Sequence, residues 1–245
     1  MKRRTVGVCR VVTLPSSFAC ENPDFYIIDP LGGPQMKQIF TITSTMLLAS
    51  ISSAFAHHPL GGVVPDSAIN GFLSGIGHPV IGFDHLAFVI AIGVLAALQS
   101  NRLLMPAGFI GGTILGTVLS VSLMSLPFAE WVITLSVLAA GAVAMRGRTT
   151  ALLPATMLAA LAGLFHGWAY GAAVIGAEMT PLVAYLAGFS LVQLAIVLTT
   201  GYVLRMICKV SSAEALRPRL AGAMIAGVGL SYFVELVEAV VFPAM

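Results

Sequence analysis

The chain has 245 residues, of which 58% are hydrophobic and only 9% charged. Its mean hydropathy is +0.98 and its formal net charge +2. A soluble domain carries about 25% charged residues, so this composition cannot cover a water-facing surface and belongs to the membrane class. The small net charge, with no basic patch interleaved with aromatics, excludes nucleic-acid binding.

Residues 1–35 mix Lys2, Arg3, Arg4 and Arg10 with prolines and acids and carry no sustained apolar run. They are expected to be a disordered, over-extended N-terminus. A different pattern starts at Met36: a cationic start at Lys37, an apolar stretch from Ile39 to Ile51, then Ala54-Phe55-Ala56. This is the pattern of a cleavable signal peptide over 36–56. The competing reading is a genuine N-terminal extension with an internal signal anchor. Cleavage after Ala56 would leave His57 as a free amine beside the His58 imidazole, either a periplasmic metal chelator or a solvated stub, at the head of a periplasmic segment 57–77. A short amphipathic piece from Ser67 to Gly77 is predicted to lie at the interface. Cys9 and Cys20 fall in the removed part and Cys208 at a helix end, so neither a disulfide nor a thiolate metal site is expected.

Apolar runs then predict spans near 79–99, 103–126, 129–146, 151–175, 181–205 and 218–242, each about as long as a hydrocarbon core of roughly 30 Å requires. The expected fold is an all-α polytopic membrane bundle of about six transmembrane helices over 78–245. Gly108, Gly111, Gly112 and Gly116 form a run of small residues suited to close helix approach. With His57 outside, Arg102, Arg146, Arg148, Arg205, Lys209, Arg217 and Arg219 all fall in cytoplasmic connections, and the outer connections hold no Lys or Arg. The positive-inside rule then gives a bacterial inner-membrane protein with its mature N-terminus in the periplasm.

Ionisable groups at membrane depth are costly and mark function by default. The first span reads HPVIGFDHLAFVIAIG and places His78, Asp84 and His85 in its outer half. His78 and His85 are seven apart and share a face if the helix continues, with Pro79 in its first turn. The fourth span, containing LFHGWAYG, carries His166 past its midpoint and Glu178 at its outer end. Glu235 and Glu238, three apart in the sixth span, share a face in the same layer, and Glu130 opens the third span at that boundary.

Imidazoles with carboxylates are ligands for nickel, cobalt, zinc or iron, and Asp84 also suits a partner that fixes the tautomer of His85. The lack of thiolate ligands and the scattered Met residues argue against copper(I). Glu178 and Glu130 read equally well as interfacial residues, and Glu235 and Glu238 as a helix-packing or proton-handling pair. Gln193 reads as an interhelical hydrogen-bond donor, and Trp168 and Tyr170 as packing residues.

His78-Pro-Val-Ile-Gly-Phe-Asp84-His85 resembles the His-Pro-x-x-Gly-x-Asp-His signature of the HupE/UreJ family, and Phe165-His166-Gly167, followed by Ala169 and Gly171, resembles that family's second motif. The resemblance covers residues 36–245. It implies a nickel or cobalt permease linked to hydrogenase or urease maturation, with His78, Asp84, His85 and His166 handling the metal. The chain departs from the pattern at Trp168 and Tyr170, where many members place further histidines, and at Ala172, where a carboxylate is expected; Glu178 is the substitute one or two turns away.

The expected function is therefore a permease for Ni2+ or Co2+, not an enzyme. The ion is its substrate, and no cofactor is tightly bound. His57 and His58 make first contact, and the ion passes to the His78, Asp84, His85 and His166 layer. No Walker-type phosphate loop occurs, so the membrane potential is left as the energy source. Membrane lipid and further copies of the chain are the other expected partners. The rivals are a membrane-embedded zinc hydrolase and a non-transporting metal sensor or accessory protein.

Overall fold

Every regular element among residues 63–242, which the computed structural model describes, is helical. The expected signal peptide, the His57-His58 pair and residues 1–35 lie outside the described residues. Helix α1 (Ala68–Ile81) opens on Ser67, whose hydroxyl accepts the Asn70 N–H at 3.3 Å. The Asn70 side-chain amide donates to Asp66 at 2.9 Å and, as the largest influence, holds that carboxyl below its ordinary range.

Helix α1 stops at Gly82, and α2 (Phe83–Ala97) starts immediately at an angle of 81° to it. Sequence chemistry explains the break. Pro79 supplies no N–H to the last turn of α1. Gly82 is extended (φ −74°, ψ 104°), its N–H closing on the His78 carbonyl at 3.3 Å. Asp84 then starts α2, its carboxylate accepting the His85 N–H at 2.8 Å near the positive end of the helix. A Cβ at position 82 would stand 2.7 Å from Cδ2 of His85, so a larger residue at the corner would push that ring out of place. The straight first span expected over 79–99, with Pro79 in its first turn, is therefore corrected: Pro79 lies inside the end of α1. The expected interfacial piece from Ser67 to Gly77 forms most of α1, the first arm of a bent pair.

The remaining helices are α3 (Leu104–Val121), α4 (Ala129–Met145), α5 (Leu152–Gly171), α6 (Met179–Tyr202) and α7 (Leu216–Val241). A 3-10 turn, Ala172–Val174, extends α5, and a π turn, Val203–Ile207, extends α6. Four helices (α3, and α5 and α6 with their extensions, and α7) are long and apolar enough to cross a bilayer, and the α1–α2 pair raises the number to five. The remaining expected span, 129–146, is α4, an apolar helix of 17 residues. The chain is a multi-pass membrane protein.

Helix α2 is the axis. Eleven of its 15 residues are buried, and α3, α4, α6 and α7 all pack on it. Around it stand three close pairs, α1 with α6, α3 with α5, and α4 with α7. Each pair meets through small residues, because apolar association inside lipid depends on backbone approach rather than on expelling water. Gly112 and Gly116 of α3 face the backbone of α5; a Cβ at Gly116 would stand 2.7 Å from the Trp168 nitrogen. Gly111, expected to share this role, has open space where its Cβ would point. Met157, Leu158, Leu191 and Leu198 face outward and are at least half exposed, as lipid contact demands.

One end of the bundle gathers the basic residues. There Arg205 donates to the Ala97 carbonyl at 2.9 Å, Arg219 to that of Met145 at 3.2 Å, and Arg217 to that of Cys208. Gln99 ties the end of α2 to Thr150 before α5, at 3.0 and 3.1 Å.

Candidate metal centre

The bend at Gly82 brings together what a continuous helix would have strung out. His78 comes from the last turn of α1, Asp84 and His85 from the first turn of α2, and His166 from the last turns of α5. All four are buried, His166 completely. The rings of His78 and His85 lie 6.1 Å apart and those of His85 and His166 5.0 Å apart. The Tyr170 ring packs against both His78 (4.9 Å) and His85 (4.8 Å), while Phe88 stacks on His166 at 4.5 Å.

The hydrogen bonds fix the tautomers by proton counting. Ser136 has one hydroxyl proton, and its Oγ lies 2.6 Å from the Ile133 carbonyl and 2.9 Å from Nε2 of His166. A carbonyl only accepts, so the hydroxyl donates to Ile133 and must accept from a proton on Nε2 of His166. Neutral His166 then carries its lone pair on Nδ1, which lies 2.8 Å from Nδ1 of His85; His85 is the donor there. The same logic fixes His78. Tyr185 donates its proton to the Tyr170 carbonyl at 2.8 Å, so its oxygen accepts from Nδ1 of His78 at 2.9 Å. In their neutral forms His78 and His85 therefore both hold their lone pairs on Nε2. This is the form of a metal-ligating imidazole whose other nitrogen is bound by a supporting group.

Ser136 and Tyr185 carry no sequence signal of their own. Ser136 sits in an apolar helix where a serine ordinarily bonds back to its own backbone, as it also does here, and Tyr185 lies 107 positions from His78.

The carboxylates divide. Asp84 is 6% exposed and belongs to the cluster. Glu178 precedes α6 on the exposed surface with no side-chain capping bond, and Glu130 is exposed at the start of α4. Glu235 and Glu238 are exposed on α7, with Tyr232 of that helix neighbouring both Asp84 and Glu235. Among the described residues no three His, Cys, Asp or Glu side chains surround a common point as an ion's ligands. His85 and His166 instead close on each other, and separating that pair releases the Nδ1 lone pair of His166 for a ligand bond. Trp168 donates to the Met124 carbonyl at 2.7 Å and fastens the α3–α4 connection, a structural role. Gln193 is fully buried, within reach of Thr113 at 3.2 Å.

Comparison with known proteins agrees with the motifs that this geometry assembles. The chain is 28% identical over 156 residues to Protein HupE of Rhizobium leguminosarum bv. viciae, covering 63% of this chain and 77% of that protein. No solved structure matches it. Residues 45–232 match the family described as HupE / UreJ protein, and the chain belongs to that family.

Proposed function

We propose that this protein is an inner-membrane permease for a divalent transition metal, Ni2+ or Co2+, taken up at the face opposite the basic end. One observation carries the reading: three imidazoles and a carboxylate, from three helices, are buried together, with protein groups holding two of the imidazoles in the metal-ligating tautomer. Ionisable side chains gathered at this depth in an apolar bundle mark function by default.

A site for transport must release as well as bind. Neutral imidazoles with one nearby carboxylate suit borderline ions such as Ni2+ and Co2+, at an affinity that allows release. The His85–His166 bond is the natural closed state, and an arriving cation would be exchanged for it. Membrane potential favours inward movement of a divalent cation by about 4.6 kcal/mol per 100 mV, twice the single-charge value. Metal delivered this way would supply a maturing hydrogenase or urease.

Elemental analysis of cells expressing the chain, with a panel of divalent metals supplied at low concentration, tests the reading. Nickel or cobalt should accumulate, and His85→Ala should abolish the gain. Cells that accumulate no metal would favour a hydrolase or a sensor. Undiminished accumulation by His85→Ala would reject the site.

A further inference from the structure

Helices α4 and α5 follow each other in the chain but pair with other partners, α4 with α7 and α5 with α3. Between them lies an apolar cavity of about 510 Å³, backed by Phe88, Ile92 and Leu95 of α2. Elsewhere in this bundle small residues admit a neighbouring backbone; here Ala140 of α4 and Ala155 and Ala159 of α5 front open space. The mouth faces the lipid side, where Leu135 is 45% exposed, Leu161 55% and Leu158 66%.

The cavity runs along α4 from Val132 to Val143 and along α5 from Ala151 to Ala162. Eleven positions of helix make about 16 Å, roughly half of a hydrocarbon core of about 30 Å and so the depth of one leaflet. Its two side-chain hydroxyls are already engaged, Ser136 with Ile133 and His166 and Thr150 with Gln99. A lining this apolar does not hold ordered water. Left empty, its walls would forfeit their dispersion contacts, so hydrocarbon is the occupant that suits it.

Charge distinguishes this cavity from a plain lipid-facing groove. Its lower end, at Val143, Thr150 and Ala151, opens at the basic end of the bundle. Arg146 follows Val143 by three positions and shares its helix face, and Arg148 stands two positions before Thr150. Both are exposed, and neither guanidinium has a hydrogen bond or ion pair with the described residues. Arg205, Arg217 and Arg219 are each spent on a backbone carbonyl instead. Basic groups beside a gap between membrane helices are the usual seat of an anionic lipid headgroup.

We propose that the cavity between α4 and α5 holds one acyl chain of an anionic phospholipid from the leaflet at the basic end, with its phosphate between Arg146 and Arg148. The far end of that chain reaches Phe88 and Ser136, which stack on and bond to His166, and so closes the lateral approach to that imidazole. The inference does not depend on metal transport, because lipid binding and metal accumulation are separate readouts.

Native mass spectrometry of the full chain in detergent tests it, with phosphatidylglycerol or phosphatidylcholine of identical acyl chains as the added lipid. Wild type should bind one phosphatidylglycerol about 30-fold more tightly than phosphatidylcholine, each basic group near the surface adding about a factor of five. Arg146→Gln combined with Arg148→Gln should erase that preference and leave equal, weaker binding of both lipids. Ala155→Phe, which puts a ring into the cavity, should lose both, with thermal unfolding as the check that it folds; if it does not fold, the arginine pair decides alone. Equal affinity of wild type for the two lipids, or a preference that survives loss of both arginines, would overturn the headgroup seat. Undiminished lipid binding by folded Ala155→Phe would overturn the cavity as the place of the tail. A dimer that Ala155→Phe dissolves would give the cavity to a second copy of the chain and overturn the lipid.

Discussion

At the scale of single residues, the site is defined as much by groups that hold protons as by those that would hold metal. Tyr185 and Ser136 each have one proton, already given to a backbone carbonyl, and each is left able only to accept from a histidine. Removing the oxygen takes away the acceptor that holds the proton on that ring nitrogen. Tyr185→Phe and Ser136→Ala should therefore weaken metal binding by about 10–100-fold, the usual range for such supporting partners. Nitrogen-15 NMR of labelled histidines should show loss of the Nδ1–H signature of His78 in the first variant and of the Nε2–H signature of His166 in the second. Unchanged tautomers in both would refute the proton count. The sign of the pH response follows from the same lone pairs. An imidazolium has none, so binding should weaken as falling pH protonates the imidazoles. A calorimetric titration of metal between pH 8 and pH 5.5 would check this, with His85→Ala as the flat control.

At the scale of elements, the helices were legible from the sequence because lipid imposes long apolar runs, and the spans predicted from 103 onward correspond to α3 through α7. The bend between α1 and α2 was not legible. Hydropathy runs unbroken through Val80, Ile81 and Phe83, and periodicity cannot register an 81° turn at one glycine. The shared depth of His78, Asp84, His85 and His166 is readable in the sequence, but the seven-residue spacing argument depends on a helix that does not continue. Ser136, Tyr185 and Thr113 were invisible because a hydroxyl in an apolar helix gains meaning only from the neighbour it meets. Small residues show the same dependence on the partner helix. Gly116 meets the α5 backbone, whereas Gly111 meets nothing. Gly116→Val should push the α3–α5 pair apart and cost about 1–3 kcal/mol, the range for overpacking. Gly111→Ala should be neutral or stabilising by roughly 0.5–1 kcal/mol through backbone entropy. Thermal unfolding in detergent separates the two, and equal shifts would contradict the assigned faces.

At the scale of the whole molecule, function depends on orientation. The basic residues collect at one end of the bundle and the histidine cluster lies toward the other, so the reading requires the basic end to face the cytoplasm, as the positive-inside rule predicts. The opposite orientation would put the histidines at the exit and make the membrane potential oppose uptake. The arrangement is testable with single cysteines on a Cys208→Ser background. Arg148→Cys reports the basic end and Met179→Cys the other; both positions are exposed and outside the cluster. A membrane-impermeant thiol reagent applied to intact spheroplasts should label Met179→Cys at once and Arg148→Cys only after the membrane is opened. The reverse pattern would require the histidines to serve export. Nickel or cobalt uptake by energised vesicles of the same preparation should then fall when the potential is collapsed. A divalent cation loses about 4.6 kcal/mol of driving force per 100 mV removed, enough to lower the equilibrium accumulation ratio by more than a thousandfold.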